Sequence, residues 1–267
     1  MKGRNAWPPV LSLSYDCDSG GGATGLSIRS GHWGEHGRSR REFCIAFLER
    51  KKRSLRRIQS EIFAQVEARG ETVTCRKGCS SCCVMYVEAS LQECEAITYY
   101  LQRHPDKLAL FLSQYGVWRE TMRRLGEPFS RCELILHRQG PVKVNRSDQE
   151  ALLDALRLYQ ERDLRCSFLC EGACMIHAIR PYVCCNHYVT TPSEWCRSSS
   201  GCDPAFPHRP RVYMTDIDEL YDRSYYPHDL ATPVIGFMPS MVFGLVTRGL
   251  EYAVEVAGLD ELSAEVG

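Results

Sequence analysis

Fifteen of the 267 residues are cysteine, and most of them fall into two groups far apart in the chain: Cys75, Cys79, Cys82 and Cys83, then Cys166, Cys170, Cys174, Cys184, Cys185, Cys196 and Cys202.

 Eleven of the fifteen cysteines therefore sit in two short windows, and that clustering constrains the chain more than any other feature. In a small secreted domain it would announce a disulfide framework. This chain is not small, and its first thirty residues carry no continuous apolar run, being broken by Pro8, Pro9 and a run of glycines. The expected compartment is therefore the cytoplasm, where thiols stay reduced and clustered cysteines serve metals.

The first group reads Cys75-Arg-Lys-Gly-Cys79-Ser-Ser-Cys82-Cys83. Two cysteines separated by two residues can aim both sulfurs at one ion, and Gly78 permits the positive φ that a backbone folding round an ion needs. Isolated cysteines are different: Cys44, Cys94 and Cys132 lie at helical positions and are expected in the core as small apolar side chains. The second group is spaced more loosely than a zinc finger, so no four-ligand set can be read from it alone, and the two groups are expected to cooperate. Neighbours such as Cys82 and Cys83, or Cys184 and Cys185, project in different directions. That points to two metal sites, or to one cluster with a spare thiol beside it.

Between and around the groups the apolar pattern is helical. Leu48, Leu55, Ile58, Ile62 and Val66 recur at helical spacing, so residues 38–70 are expected to form one long amphipathic helix ending at Gly70. Its basic residues Arg50, Lys51, Lys52, Arg53, Arg56 and Arg57 read as a solvated face, because no aromatic residues interleave for base stacking. Ser90-Leu-Gln-Glu93 is a capping-box pattern opening a helix through about Gln102. Further helices are expected from Pro105 to about Arg124, from Ser147 to about Arg162, and from Met241 to Ala257. The domain reading is a flexible segment over 1–37, the basic helix over 38–70, a cysteine-cluster domain over 71–205, and a helical extension over 206–267 that packs on the core. The fold class is mainly α, a small helical domain with an irregular cysteine-rich metal-binding loop region.

Charge adds little. Lysine plus arginine and aspartate plus glutamate both number 33, so no net charge draws the chain to nucleic acid or an anionic membrane. The charge-free stretch from Ala231 to Thr247 is too short, and too broken by Pro233 and Pro239, to span a bilayer. A metal ion or cluster is the partner expected, with room for an unidentified protein and none for nucleic acid. His177 and His187 flank the cysteines and read as hydrogen-bonded structural residues, while Asp216, Asp218 and Glu219 read as solvated carboxylates at a helix start.

The text CRKGCSSCC, the Val87-x-x-Ser90-x-x-Glu93 helix start, CSFL from Cys166, the Gly172-Ala-Cys174 segment, Ile179-Arg180-Pro181 and Tyr182-Val-Cys184 together resemble the YkgJ or CxxCxxCC-type cysteine-cluster family of zinc- or iron-chelating domains. The resemblance covers about residues 71–202. It implies eight metal ligands, which by position are Cys75, Cys79, Cys82, Cys83, Cys166, Cys174, Cys184 and Cys196. It also implies a cofactor-binding role for Arg180, donating hydrogen bonds to cluster sulfurs. This chain departs from the pattern in carrying Cys185 where relatives show arginine, an additional Cys170, and Cys202 competing with Cys196 for the last place.

Thiolates suit both iron and zinc. Eight exceed the need of one tetrahedral zinc, and the related flagellin lysine-methylating proteins look like iron–sulfur proteins, so an iron–sulfur cluster such as 4Fe-4S is the first expectation. Its role is left open among redox, sensing and modification chemistry. A zinc-stabilised binding module without catalysis is the alternative. A second is an S-adenosylmethionine-dependent modification enzyme, because Cys75-x3-Cys79-x2-Cys82 has the spacing used by radical enzymes of that class. Against it, Ser81 stands where an aromatic residue is usual, and repeated βα units are missing from the pattern.

Overall fold

The computed structural model describes residues 34–76, 78–125, 150, 154, 159, 164–198, 210–215 and 234–257, together with a parallel pair of two-residue strands, β1 (Leu11–Ser12) and β2 (Leu26–Ser27). Most of the segment expected to be flexible lies outside the described residues, as do Cys132, Cys202 and the Asp216–Glu219 carboxylates. The described residues are mainly helical, and the strands among them pair two by two. No described helix is long and apolar enough to cross a membrane.

The first helix, α1 (Gly34–Glu67), buries a stripe made of Cys44, Phe47, Lys51, Ser54, Ile58, Ile62 and Val66. These positions recur at three- and four-residue steps, the period of one helix face. Gly70 ends it with φ of 66°. Its amide bonds the Glu67 carbonyl at 2.9 Å and the Glu71 amide returns to Val66 at 3.1 Å, the paired bonds of a Schellman cap.

Helix α2 (Leu91–Gln102) is the centre of the molecule, buried along nearly its whole length and packed on both α1 and the C-terminal helices. Its start is the capping box legible in the sequence: Ser90 Oγ accepts from Glu93 N at 3.2 Å, and Glu93 Oε2 accepts from Ser90 N at 3.1 Å. The residues just before it form β3 (Glu88–Ser90), antiparallel to β8 (Ile235–Phe237), and the Leu91 amide bonds the Val234 carbonyl at 2.9 Å. Proline opens α3 (Pro105–Leu125), where a missing N–H costs nothing. Of the helix expected over 147–162, only Glu150, Asp154 and Tyr159 are described, and all three are helical.

The C-terminal helix expected to run unbroken from Met241 to Ala257 is divided. A short α4 (Tyr182–Cys185) precedes it in the cysteine-rich region, and the C-terminal pair is α5 (Met238–Arg248) and α6 (Leu250–Ala257), separated by Gly249 at φ of 60°. A methyl group built on Gly244 would lie 2.5 Å from the Tyr252 ring. In one continuous helix those residues would be about 12 Å apart along the axis, so the ring reaches Gly244 only because α6 doubles back. Apolar periodicity does not register such a reversal, since both halves keep their buried faces.

Aromatic side chains tie the cysteine segments to this helical body. Phe168, between Cys166 and Cys170, is wholly buried and stacks on Phe111 of α3 at 4.4 Å. Tyr86, after Cys83, stacks on Phe237 at 4.1 Å. Burying a residue such as Phe168 contributes about 1.5–3 kcal/mol, so each irregular segment is anchored by carbon even though its own backbone forms few ladders.

Candidate metal centre

Five short elements carry most of the thiols. Cys75 and Cys79 lie on the turn after α1, where Gly78 takes φ of 85°, as the ion-wrapping reading requires. Cys82 and Cys83 lie on a 3-10 turn, Ser81–Val84, which packs against a second such turn, Ser193–Ser198, carrying Cys196. The hairpin β4 (Leu169–Cys170) and β5 (Ala173–Cys174) holds Cys174, and its two-residue turn uses Glu171 at φ of 48° and Gly172 at φ of 80°. Positive φ at both positions is the geometry of a tight hairpin turn. Finally, α4 carries Cys184.

These elements bring the two sequence groups together. The Cys166 amide bonds the Cys83 carbonyl at 2.7 Å, and the Val189 amide donates to the Cys75 sulfur at 3.4 Å. The strand β6 (Tyr188–Val189) is in turn paired with β7 (Val212–Tyr213). Further backbone amides face the sulfurs: Phe168 N–H donates to Cys166 and Ile176 N–H to Cys174. Amides directed at sulfur favour the thiolate over the thiol.

The thiols also act on one another. Burial pushes the Cys75 thiol up, and the charges of Cys79 and Cys82 add to the effect. Cys196 is pushed up to about 12 by burial and then by Cys82, Cys75 and Cys79. Cys166 is also pushed up to about 12, by burial and then by Cys174 and Cys82. Burial raises Cys174, and raises Cys184 well above the ordinary range, with Cys166, Cys185, Cys82 and Cys174 adding to the latter. The Cys83 thiol is hydrogen-bonded to Cys82, which lowers Cys82 to about 7 and raises Cys83, and burial with Cys82, Cys166 and Cys174 opposes the ionisation of Cys83 further.

All eight cysteines carried over from the family pattern are thus within electrostatic reach of others of the set. The additional thiols differ from each other: Cys170 is turned away, whereas Cys185 acts on Cys174 and Cys184. Opposed residues share a face of a ladder and successive residues alternate, so Cys170, opposite Ala173, faces away from Cys174, which stands opposite Leu169. Cys185 is turned to Arg180, whose Nε donates to its sulfur at 3.2 Å. Arg180 also lies close enough to Cys75, Cys82, Cys174 and Cys184 to act on each. Among the described residues, no three Cys, His, Asp or Glu side chains stand in an arrangement that could hold a metal ion without moving. The sulfurs converge, but they do not close round a point.

Sequence reasoning missed the support beneath this basin. Lys51, read as part of a solvated basic face, is 2% exposed and pairs with Glu93 at 2.9 Å, which is itself 0% exposed. Lys51 also donates to the Ile179 carbonyl at 3.3 Å and lies 4.8 Å above the Tyr182 ring. Glu93 Oε1 accepts the Tyr182 amide at 2.7 Å. One ion pair therefore joins α1, α2 and the Ile179-Arg-Pro-Tyr182 corner from which α4 projects Cys184. The available signal was position: Lys51 falls on the buried stripe, four residues after Phe47 and three before Ser54. His177 is hydrogen-bonded to Arg180, as expected of a structural histidine. His187 differs, because its Nε2 is buried without a partner among the described residues, and burial lowers its pKa.

Comparison of the chain with protein-family models, with curated proteins and with solved structures finds no match.

Proposed function

We propose that this chain is a cytoplasmic metal-binding protein of the cysteine-cluster type, holding an iron–sulfur centre through thiolates supplied by both of its cysteine segments. The observation that carries the reading is the convergence of the Cys75–Cys83 turn with the Cys166–Cys196 region, two stretches that have no other reason to pool eight sulfurs. The donor set fits the group: thiolates are the ligands of iron–sulfur clusters and of structural zinc, backbone amides face several of the sulfurs, and Arg180 offers positive charge beside them. Eight crowded thiols oppose one another's ionisation, and a cation removes that opposition by taking them as thiolates. The sulfurs would have to draw inward to coordinate, and seven of the eight side chains are only partly buried.

The ligands are Cys75, Cys79, Cys82, Cys83, Cys166, Cys174, Cys184 and Cys196. A bound cluster would supply one-electron redox chemistry, whereas bound zinc would supply cross-linking alone. Around either, Arg180 balances thiolate charge, Lys51 and Glu93 hold the corner bearing Cys184, and Phe168 and Tyr86 seat the two segments on the helical body. Cys196 beside Cys75, Cys79 and Cys82 speaks for a fully thiolate-ligated centre, and against the open iron that radical S-adenosylmethionine chemistry requires.

Anaerobic purification followed by iron, zinc and sulfide analysis with a visible spectrum tests the proposal. The expected result is brown protein containing iron and acid-labile sulfide. Colourless, zinc-loaded protein would establish the zinc-stabilised module instead, and protein free of both metals would end the metal reading.

A further inference from the structure

An unbroken stack of aromatic rings leads from the first cysteine segment to the surface beside α3. Tyr86, which follows Cys83 closely in the chain, lies on Phe237 at 4.1 Å with 26° between ring planes. Phe237 lies on Trp118 at 4.9 Å and 23°, Trp118 on Tyr115 at 5.5 Å and 23°, and Tyr115 on Phe243 at 4.4 Å and 23°. Phe237, Trp118 and Tyr115 are buried, whereas Phe243 is half-buried and the exposed Arg119 guanidinium stands 5.7 Å from its centre. Aromatic pairs pack as readily edge to face as stacked, so exclusion of water alone does not call for near-parallel planes at every step. The polar atoms of the two oxidisable buried rings are held: Tyr115 OH donates to Ser240 Oγ at 3.3 Å, and Trp118 Nε1–H donates to Tyr159 OH at 3.3 Å. From the other cysteine segment, Phe168 on Phe111 at 4.4 Å and Phe111 beside Tyr115 at 5.7 Å make a second path, in which only phenyl rings precede Tyr115.

We infer that Tyr115 and Trp118 form a relay through which the basin thiols reduce diffusible one-electron oxidants arriving at the surface beside Phe243. The relay needs only the thiols, so it stands or falls separately from the metal reading above. The oxidant, a radical, takes one electron from Tyr115, and the phenolic O–H breaks along its bond to Ser240. Trp118 returns the electron and the O–H bond forms again, while the indole radical cation keeps its Nε1 proton, hydrogen-bonded to Tyr159. A basin thiol refills Trp118 across the Phe237 and Tyr86 rings and releases its S–H proton to water. A second event produces a second thiyl, and the pair joins as a disulfide. In sum, two thiols give up two electrons and two protons, and two oxidant molecules are each reduced by one electron.

The test uses the full-length chain, reduced, anaerobic and stripped of metal. A ruthenium(II) polypyridyl photo-oxidant is attached through an alkyne-bearing residue put in place of Arg119 and is fired by a laser flash with a sacrificial electron acceptor. The expected result is a transient indole radical, followed by loss of free thiols that peptide mapping places within residues Cys75–Cys83 and Cys166–Cys196. Trp118→Phe keeps a ring in the stack but makes it hard to oxidise, so the indole signal should vanish and thiol loss should fall. Trp118→Tyr should restore thiol loss, which a ring that only fills space would not do. Tyr86→Leu should lengthen the life of the indole radical, and Phe111→Leu should leave it unchanged, with helical circular dichroism retained throughout. Thiol loss in Trp118→Phe equal to that of the parent chain overturns the relay. So does an indole radical whose lifetime Tyr86→Leu does not alter, or a parent chain that keeps all its thiols.

Discussion

In the helical body, buried surface is carbon. Ile97, Leu101, Phe237, Met241 and Val242 fill one continuous core, and stacked rings such as Phe111 on Phe168 join its layers. In the thiol basin, what is crowded together is ionisable, and the sulfurs raise one another's pKa through burial and mutual repulsion. The first region gains stability from exclusion of water and needs nothing added. The second holds groups that oppose one another's ionisation, and on the reading proposed above a cation would remove that opposition. The Lys51–Glu93 pair stands on the border, a buried charge pair that serves the basin from within the body.

Replacing Glu93 by alanine attacks that border and has the largest expected effect. It leaves the Lys51 ammonium buried without its carboxylate, at a cost of about 3–5 kcal/mol. Urea unfolding should show this loss, and metal affinity should fall with it as the corner carrying Cys184 loosens. The double variant Lys51→Met/Glu93→Leu should recover most of the stability without recovering the affinity. Recovery of both would mean that the pair only fills space.

Leu101→Ala tests the body alone. A cavity at this wholly buried position should cost about 3 kcal/mol, equally in metal-loaded and metal-stripped protein. A larger loss in the stripped form would show that body and basin are not separable. Ser90→Ala removes the side-chain half of the capping box and should lower the urea midpoint by the equivalent of about 1 kcal/mol. Lys52→Ala, next to Lys51 but exposed and paired among the described residues with Glu49 of its own helix, should change stability by no more than about 0.5 kcal/mol. The contrast between these neighbouring lysines is one that burial alone creates.

What was legible in the sequence follows from range. The Gly70 cap and the Ser90–Glu93 box are governed by residues a few positions apart and stand as read; the α1 stripe does so at Ile58, Ile62 and Val66, while Leu48 and Leu55 are only partly buried and Lys51 joins the buried face. The positive φ of Gly78 and the core positions of Cys44 and Cys94 could be read for the same reason. Glu93's second task could not. Its Oε2 serves the local box, but its Oε1 meets Lys51 and the Tyr182 amide, which come from distant parts of the chain and leave no periodic trace. The α5–α6 reversal was hidden because Gly244 makes room for a ring that only the folded chain brings there. For the thiols, sequence grouped the residues, but which sulfur faces which depended on short turns whose packing no spacing encodes.

The pairing of β3 with β8 gives the molecule an order of assembly. Every thiol of the proposed ligand set emerges from the ribosome before Val234 to Phe237, yet those residues complete the first turn of α2 and seat Tyr86 beside Cys83. A nascent chain halted short of them exposes reactive sulfur with no finished bed beneath it. On the metal-binding reading proposed above, a cation would find its thiols fully seated only once Val234 to Phe237 have joined the fold.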